Sequence, residues 1–113
     1  MAESTPFRIE VHESKAGSVI ELHGELDMFT VQEAEAMVMA LAARKRSVVI
    51  DLRQLEFMDS KGVGMLVRAD ALARQDGFNL FVTKGTDATQ RLLKMCGLLE
   101  HFAQIDAPED INV

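Results

Sequence analysis

The 113-residue sequence contains no tryptophan and no tyrosine, one cysteine and two prolines. A single cysteine excludes an internal disulfide and fits a reducing compartment. Without Trp and Tyr the chain lacks two of the side chains on which exposed nucleic-acid bases stack. Basic residues are also scarce, because 12 Lys and Arg against 18 Asp and Glu give a formal net charge of −6. Binding to a phosphate backbone requires positive charge, so we expect no direct nucleic acid partner.

Long hydrophobic runs are absent from the sequence as well. The longest uninterrupted apolar run covers residues 36–43, well short of the roughly 20 residues that a membrane-spanning helix needs. The first six residues, Met-Ala-Glu-Ser-Thr-Pro, are polar and acidic, unlike a secretory signal. We therefore expect a cytoplasmic protein that does not associate with a membrane.

The composition is typical of one globular domain. Apolar residues make up 48% of the chain and charged residues 27%, and a chain of this length folds around a core without disulfides or a structural metal. We expect a single domain over residues 1–113, with frayed termini at 1–5 and 107–113.

Hydrophobic alternation predicts a β-hairpin at the start of the domain. Residues 7–12 place Phe7, Ile9 and Val11 on one face, which is typical of a half-buried strand. A second strand over 18–23 follows a short turn containing glycine. The two strands form the simplest antiparallel pair.

Capping signals predict the first helix. Thr30 and Glu33 have the spacing of a capping box, in which the hydroxyl and the carboxylate each accept a backbone N–H of the first turn. Apolar residues follow at spacings of three and four, so we expect a helix to about Arg44 that buries one stripe.

A strand, helix and strand follow in the middle of the chain. Residues 47–52 are rich in β-branched residues without alternation, which predicts a strand covered on both faces. We expect a loop over 53–59, a helix over 61–75 and another strand over 78–83. In such a βαβ unit the strands are parallel, and the loop that holds Ser60 lies beyond a strand's carboxyl end, where α/β sheets place their sites.

The last part of the chain completes the predicted fold. Asp87 and Gln90 indicate a second helix start, Gly97 ends that short helix, and 102–105 is a candidate last strand. The expected fold class is α/β: a single domain with a mixed β-sheet of four to five strands and helices packed against it.

The sequence shows no motif for catalysis or for a cofactor. Ser60 has no histidine base at a recognisable spacing, and the Gly-Val-Gly of residues 62–64 is too short for a phosphate loop. The three histidines have no metal-ligand spacing with Cys96, which we interpret as a small core residue. We therefore expect neither an enzyme nor a protein with a metal or a cofactor.

Two segments resemble the STAS family of bacterial anti-sigma factor antagonists. One is Leu22-His-Gly-Glu-Leu-Asp, and the other is Val48-Val-Ile-Asp-Leu-Arg-Gln-Leu-Glu-Phe-Met-Asp-Ser-Lys-Gly-Val-Gly-Met-Leu, with Gly97-Leu98 further on. The resemblance implies a STAS-like fold and a non-enzymatic switch. In that switch the unphosphorylated domain binds an anti-sigma factor and so releases the sigma factor. The kinase activity of the anti-sigma factor then phosphorylates one serine, and a serine phosphatase resets the domain.

The same resemblance assigns the candidate site. Ser60 matches the phosphorylated serine of the family, with Asp59 before it, Lys61 and Gly62 after it, and Asp27 as the matching acid from the earlier loop. Lys61 departs from the family pattern, because relatives more often carry a small residue there, and this difference bears on the contacts with the kinase.

The residues themselves support this site. A serine at a helix start has its hydroxyl outside the regular hydrogen-bond ladder, and a phosphoryl group there adds about −1.5 to −2 charge. On a helical wheel Ser60 shares the side away from the sheet with Gly64, Val67 and Ala71, flanked by Val63. We expect these residues to form the partner-docking face.

Two other classes of protein remain open at this stage. The chain could be a constitutive STAS subunit of a signalling scaffold or a transport complex, in which Ser60 is only a helix cap. A receiver-like phosphorelay domain is the other alternative, because Asp51 and Lys84 each end a strand. The first strand, however, ends without the paired acids that hold Mg²⁺ in such domains.

Overall fold

The computed structural model describes residues 5–111. Their elements, in chain order, are β1 (Arg8–Glu13), β2 (Gly17–Leu26), α1 (Val31–Ala42), β3 (Ser47–Asp51), β4 (Leu55–Met58), α2 (Ser60–Asp76), β5 (Leu80–Thr83), α3 (Asp87–Met95), β6 (Gln104–Ile105) and a 3-10 helix (Pro108–Asp110). The predicted frayed ends at 1–5 and 107–113 fall partly outside the described residues.

The strands form one mixed sheet, which confirms the α/β class. The order is β1-β2-β3-β5-β6, and β4 pairs with β2. Only the pair of β1 and β2 is antiparallel among the described pairs. The first half of β2 pairs with β3 through Glu21, and its last residues pair with β4 from Gly24 onward. The βαβ unit of β3, α2 and β5 has the predicted parallel strands.

The sheet has six strands rather than the predicted four to five, and β4 lies where the sequence predicted a loop over 53–59. In β4, Leu55 and Met58 are buried while Glu56 and Phe57 are exposed. This pattern has no period of two, so alternation could not reveal the strand. The strand forms because β2 extends past β3 and offers its backbone there.

The core lies between the sheet and helices α1 and α2. Strand β3 is covered on both faces as predicted, since Val48, Val49 and Ile50 are fully buried. The helix-facing side of β2 contributes Ile20, Leu22 and Leu26, which are also fully buried. The buried side chains of the two helices are Val31, Ala34, Val38, Leu41, Ala42, Val63, Met65, Leu66, Ala69 and Ala73.

The predicted capping box at the start of α1 is wrong. The Thr30 side chain makes no cap hydrogen bond; its hydroxyl donates to the carbonyl oxygen of Glu25 at 2.8 Å and accepts from the amide of Asp27 at 3.0 Å. The Asp27 carboxylate instead accepts from the amides of Phe29 and Thr30, at 2.9 and 3.2 Å. Asp27 therefore holds the turn that leads into α1.

The other helix ends follow the predicted signals with two corrections. Gly77 ends α2 at φ 77°, a left-handed conformation that suits glycine. Helix α3 is capped by Thr86 rather than Asp87, because the Thr86 hydroxyl accepts from the amide of Thr89. Cys96 is exposed and is not the core residue that we predicted. No helix within residues 5–111 is long and apolar enough to cross a bilayer.

Candidate serine site

The candidate site lies where β2 and β4 end side by side. Leu26 and Met58 are register partners in this parallel pair, and Asp27 and Asp59 follow them directly. The amide of Asp59 donates to the carbonyl oxygen of Leu26 at 3.1 Å. The two acidic loops that the sequence indicated are therefore neighbours, tied together by a backbone hydrogen bond.

Ser60 is the first residue of α2 and is exposed, as predicted. Asp59, in an extended conformation, is the N-cap, and its Oδ1 accepts from the amides of Lys61 at 2.8 Å and Gly62 at 3.4 Å. These amides are among the donors that a helix start leaves unpaired. Because the Asp59 carboxylate already binds them, a phosphoryl group on Ser60 would stand beside a carboxylate.

Gly62 sets how closely α2 approaches the strand ends. A β-carbon at this position would lie 2.5 Å from Cγ of Met58 and 3.0 Å from Cδ2 of Leu26. The missing side chain therefore allows the first turn of α2 to pack on β2 and β4. Lys61, in contrast, is exposed beside Ser60.

The predicted docking face is accessible in part. Gly64 and Val67 are half-buried and Ala71 is exposed. Val63 is 5% exposed, so its assignment to the accessible face is wrong. Successive helical residues are about 100° apart, which places Val63 about 60° from Leu66, at the edge of the buried arc. The buried arc of α2 is wider than the stripe that the apolar residues indicated.

Exposed apolar side chains lie on the two segments that lead to and from the site, and the sequence patterns did not indicate them. Met28 and Phe29, in the turn after Asp27, are 62% and 84% exposed, and Phe57 of β4 is 48% exposed. Phe57 pairs in register with Glu25, two residues before Asp27. The available signal was the adjacent Met and Phe in an otherwise polar turn. Neither belongs to a helical or strand pattern that would predict its burial.

Asp51 does not have the environment of a phosphate-accepting aspartate. It is fully buried, and its carboxylate accepts from Arg53 Nε and Nη2 at 3.0 and 2.9 Å and from the Thr83 hydroxyl at 3.0 Å. Burial alone would raise the pKa of Asp51, but these hydrogen bonds outweigh it and hold the pKa below its usual value. Lys84 pairs with Asp106 instead. The receiver-like alternative is therefore rejected.

Comparison with solved structures identifies the class of domain. A crystal structure of an anti-sigma factor antagonist from Mycobacterium paratuberculosis has a TM-score of 0.85 at 27% identity and covers 96% of this chain and 94% of its own. SpoIIAA of Bacillus, solved in its unphosphorylated and phosphorylated forms, has TM-scores of 0.74 and 0.69 at 22% identity. These alignments cover 93% of this chain and 90% and 94% of SpoIIAA, and they show that the fold is shared.

Sequence comparison gives the family. A family model described as "Mlab, STAS domain" matches residues 9–103. The anti-sigma F factor antagonist of Paenibacillus polymyxa is 32% identical over 97 residues, which are 83% of this chain and 82% of that protein. The chain therefore belongs to the STAS domain family, as its sequence motifs indicated.

Proposed function

We propose that this protein is an anti-sigma factor antagonist whose binding is controlled at Ser60. The unphosphorylated domain binds an anti-sigma factor and thereby releases a sigma factor. The anti-sigma factor, acting as a serine kinase, phosphorylates Ser60 and ends the complex, and a serine phosphatase restores the hydroxyl. The chain itself is not an enzyme in this scheme and works in the cytoplasm, where its partners act on transcription.

One observation carries the proposal: Ser60 is exposed on the first turn of α2, beside two acidic loops and next to exposed apolar side chains. The relatives named anti-sigma factor antagonists support the choice of partner. We assign the docking surface to Gly64, Val67 and Ala71 of α2, and add the exposed side chains of Phe29 and Phe57.

The surroundings of Ser60 explain how one modification would end binding. A partner surface that packs on Phe29 and Phe57 excludes water from the hydroxyl between the acidic loops. Phosphorylation adds about −1.5 to −2 charge there. Asp59 already satisfies the nearest helix amides, so they offset little of the new charge. A penalty of about 2.7 kcal/mol weakens binding roughly a hundredfold, which is enough for a switch.

Asp59 would hold the serine in place rather than activate it. Its Oδ1 accepts two amide hydrogen bonds, so the base that removes the hydroxyl proton is expected from the kinase. The γ-phosphoryl group of ATP is transferred to Ser60 Oγ, and ADP leaves from the kinase. The antagonist supplies only the accessible hydroxyl and the rigid turn that presents it.

The test is a parallel pull-down from lysate of the source cells with wild type, Ser60→Ala and Ser60→Glu. Ser14→Glu is the matched control, because it places the same charge on the exposed turn between β1 and β2. Bound proteins are identified by mass spectrometry, and the captured kinase is then incubated with ATP and each variant.

We expect wild type, Ser60→Ala and Ser14→Glu to capture an anti-sigma factor, and Ser60→Glu to lose it. Phosphate should enter wild type at Ser60 and be absent from Ser60→Ala. Equal capture of a different complex by wild type and Ser60→Glu would instead identify a constitutive STAS subunit. Phosphorylation of Ser60→Ala to the wild-type level would show that the modified residue lies elsewhere.

A further inference from the structure

Strands β1 and β2 gather four chemically related side chains on one face. The antiparallel register places Glu10 opposite Glu21 and Arg8 opposite His23. Alternate residues of a strand share a face, so Glu10 and His12 lie on the same side as Glu21 and His23. Spacing along the sequence does not reveal this group, because its residues come from two strands and only the register brings them together.

The distances show that two carboxylates converge on one imidazole nitrogen. Nε2 of His23 lies 2.6 Å from Oε1 of Glu21 and 2.9 Å from Oε2 of Glu10. A ring nitrogen carries at most one proton, so it can donate fully to only one of these two oxygens. Glu10 and Glu21 are also like charges directly opposite each other, an arrangement that destabilises a strand pair. A cation at the point where the three atoms meet would satisfy all of them.

The ligand types and spacing suit a first-row divalent cation. Imidazole nitrogen and carboxylate oxygen bind zinc at about 2.0–2.2 Å, which places neighbouring ligand atoms about 3.3 Å apart in a tetrahedral site. The three ligand atoms of Glu10, Glu21 and His23 all lie within 4.8 Å of one another. Small side-chain rotations are enough to open the two short separations.

Burial is graded across the group. The side chains of His23 and Glu21 are 11% and 19% exposed, whereas that of Glu10 is 42% exposed. The inner ligands are therefore largely dehydrated, and the outer one leaves an entry path from solvent. Nε2 of His12 lies 3.3 Å from Oε2 of Glu21, the second oxygen of that carboxylate, and so holds it in orientation as second-layer partners do.

Arg8 competes with a metal for Glu10. Its Nη2 donates to Oε2 of Glu10 at 3.0 Å. The Arg8 side chain is 55% exposed and can turn into solvent when Glu10 changes partner.

We propose that Glu10, Glu21 and His23 form a binding site for a divalent cation of the zinc class, with water in the fourth position. The site stands independently of the proposed switch, because none of its residues belongs to the loops around Ser60. The proposed site lies on a face of the sheet for which the sequence motifs predicted no ligand.

The test is isothermal titration calorimetry of the untagged full chain with ZnCl₂, with MgCl₂ as a second probe. All variants carry Cys96→Ser, because the exposed thiol is itself a zinc ligand. Glu10→Gln removes an exposed ligand without disturbing the core, and His23→Gln removes the imidazole. His101→Gln is the matched control, since it removes a histidine outside this group that also lies beside a carboxylate, Asp70 at 3.1 Å.

We expect saturable binding of one Zn²⁺ per chain, weakened at least about tenfold by Glu10→Gln and by His23→Gln. His101→Gln should bind as the parent does, and Mg²⁺ should bind far more weakly because it prefers oxygen ligands. The proposal is overturned by an absence of saturable Zn²⁺ binding, by equal affinities in all variants, or by Mg²⁺ binding as tight as that of Zn²⁺.

Discussion

Gly62 and Met58 are in contact across the junction of α2 and β4, and a β-carbon on Gly62 would lie 2.5 Å from Cγ of Met58. Met58 is buried, so its side chain has little space into which to move. This contact makes the first turn of α2 dependent on a glycine, and it places Ser60, two residues earlier, at a fixed height above the strand ends.

Gly62→Ala should therefore destabilise the domain by about 1–2 kcal/mol, because overpacking outweighs the gain in helix propensity. Gly64→Ala is the control, since its β-carbon would meet only Nη1 of Arg68 at 3.3 Å, the end of a flexible side chain. That substitution should be neutral or stabilise by up to about 1 kcal/mol. Urea unfolding measures both, and equal effects would show that the Met58 contact is unimportant.

Substitutions at Asp59, the N-cap of α2, can separate the effect of its charge on stability from the effect of its hydrogen bonds. Asp59→Ala removes the acceptor of two amide hydrogen bonds and should cost about 1 kcal/mol of unfolding free energy. Asp59→Asn keeps an oxygen acceptor and should cost much less. If the asparagine variant is as unstable as the alanine variant, the carboxylate charge rather than the hydrogen bond stabilises this helix start.

Asp51 should govern part of the acid sensitivity of the fold. Since its folded-state pKa is depressed, its contribution to stability is present above the unfolded pKa of about 3.9 and is lost as the pH falls through the folded value. Asp51→Asn should lower the free energy of unfolding at neutral pH by about 1–3 kcal/mol. The further decrease of that free energy below about pH 5 should be smaller in this variant than in wild type.

Urea midpoints measured from pH 7 to pH 3 test this expectation. Asp76→Asn, at the exposed end of α2, is the control and should follow wild type throughout. If the urea midpoints of wild type and Asp51→Asn fall equally as the pH is lowered, Asp51 is not responsible for the loss of stability in acid.

Phe29 offers a test of the proposed docking surface that is separate from Ser60. Because its side chain is 84% exposed, Phe29→Ser should change unfolding free energy by no more than about 0.5 kcal/mol. It should weaken binding to the captured anti-sigma factor at least tenfold, since large apolar anchors dominate such interfaces. Val11→Ser, on β1, should leave binding unchanged. Retained binding by Phe29→Ser would remove Phe29 from the interface.

The fold could be predicted from the sequence wherever pattern and local chemistry agree. The β-branched run of β3, the exposed serine at the start of α2 and the glycine at its end were all recognised. Strand β4 was missed because its pairing depends on how far β2 extends, which is a tertiary property. Thr30 had the right spacing for a cap, but its hydroxyl bonds the Glu25 carbonyl and the Asp27 amide. The Asp27 carboxylate binds the Thr30 amide that Glu33 was expected to bind.

The site could be predicted less completely than the fold. The positions of Ser60, Asp59 and Asp27 followed from motifs, but the burial of Val63 depends on the width of the packed arc, which a helical wheel does not give. Phe29 lies in a turn and Phe57 in an unrecognised strand, so no periodic pattern indicated that either is exposed. The group around His23 required the strand register, which one-dimensional spacing does not contain.

The division of β2 between two partners has a consequence for local opening. Strand β4 has four residues and pairs with the last part of β2, past a register shift between Gly24 and Glu25. The first part of β2 lies between β1 and β3 within the main sheet. Amide protons of β4 should therefore exchange with solvent sooner than those of β3. The pairing of β4 with β2 should therefore open at a lower free-energy cost than the pairing of β3 at the centre of the sheet.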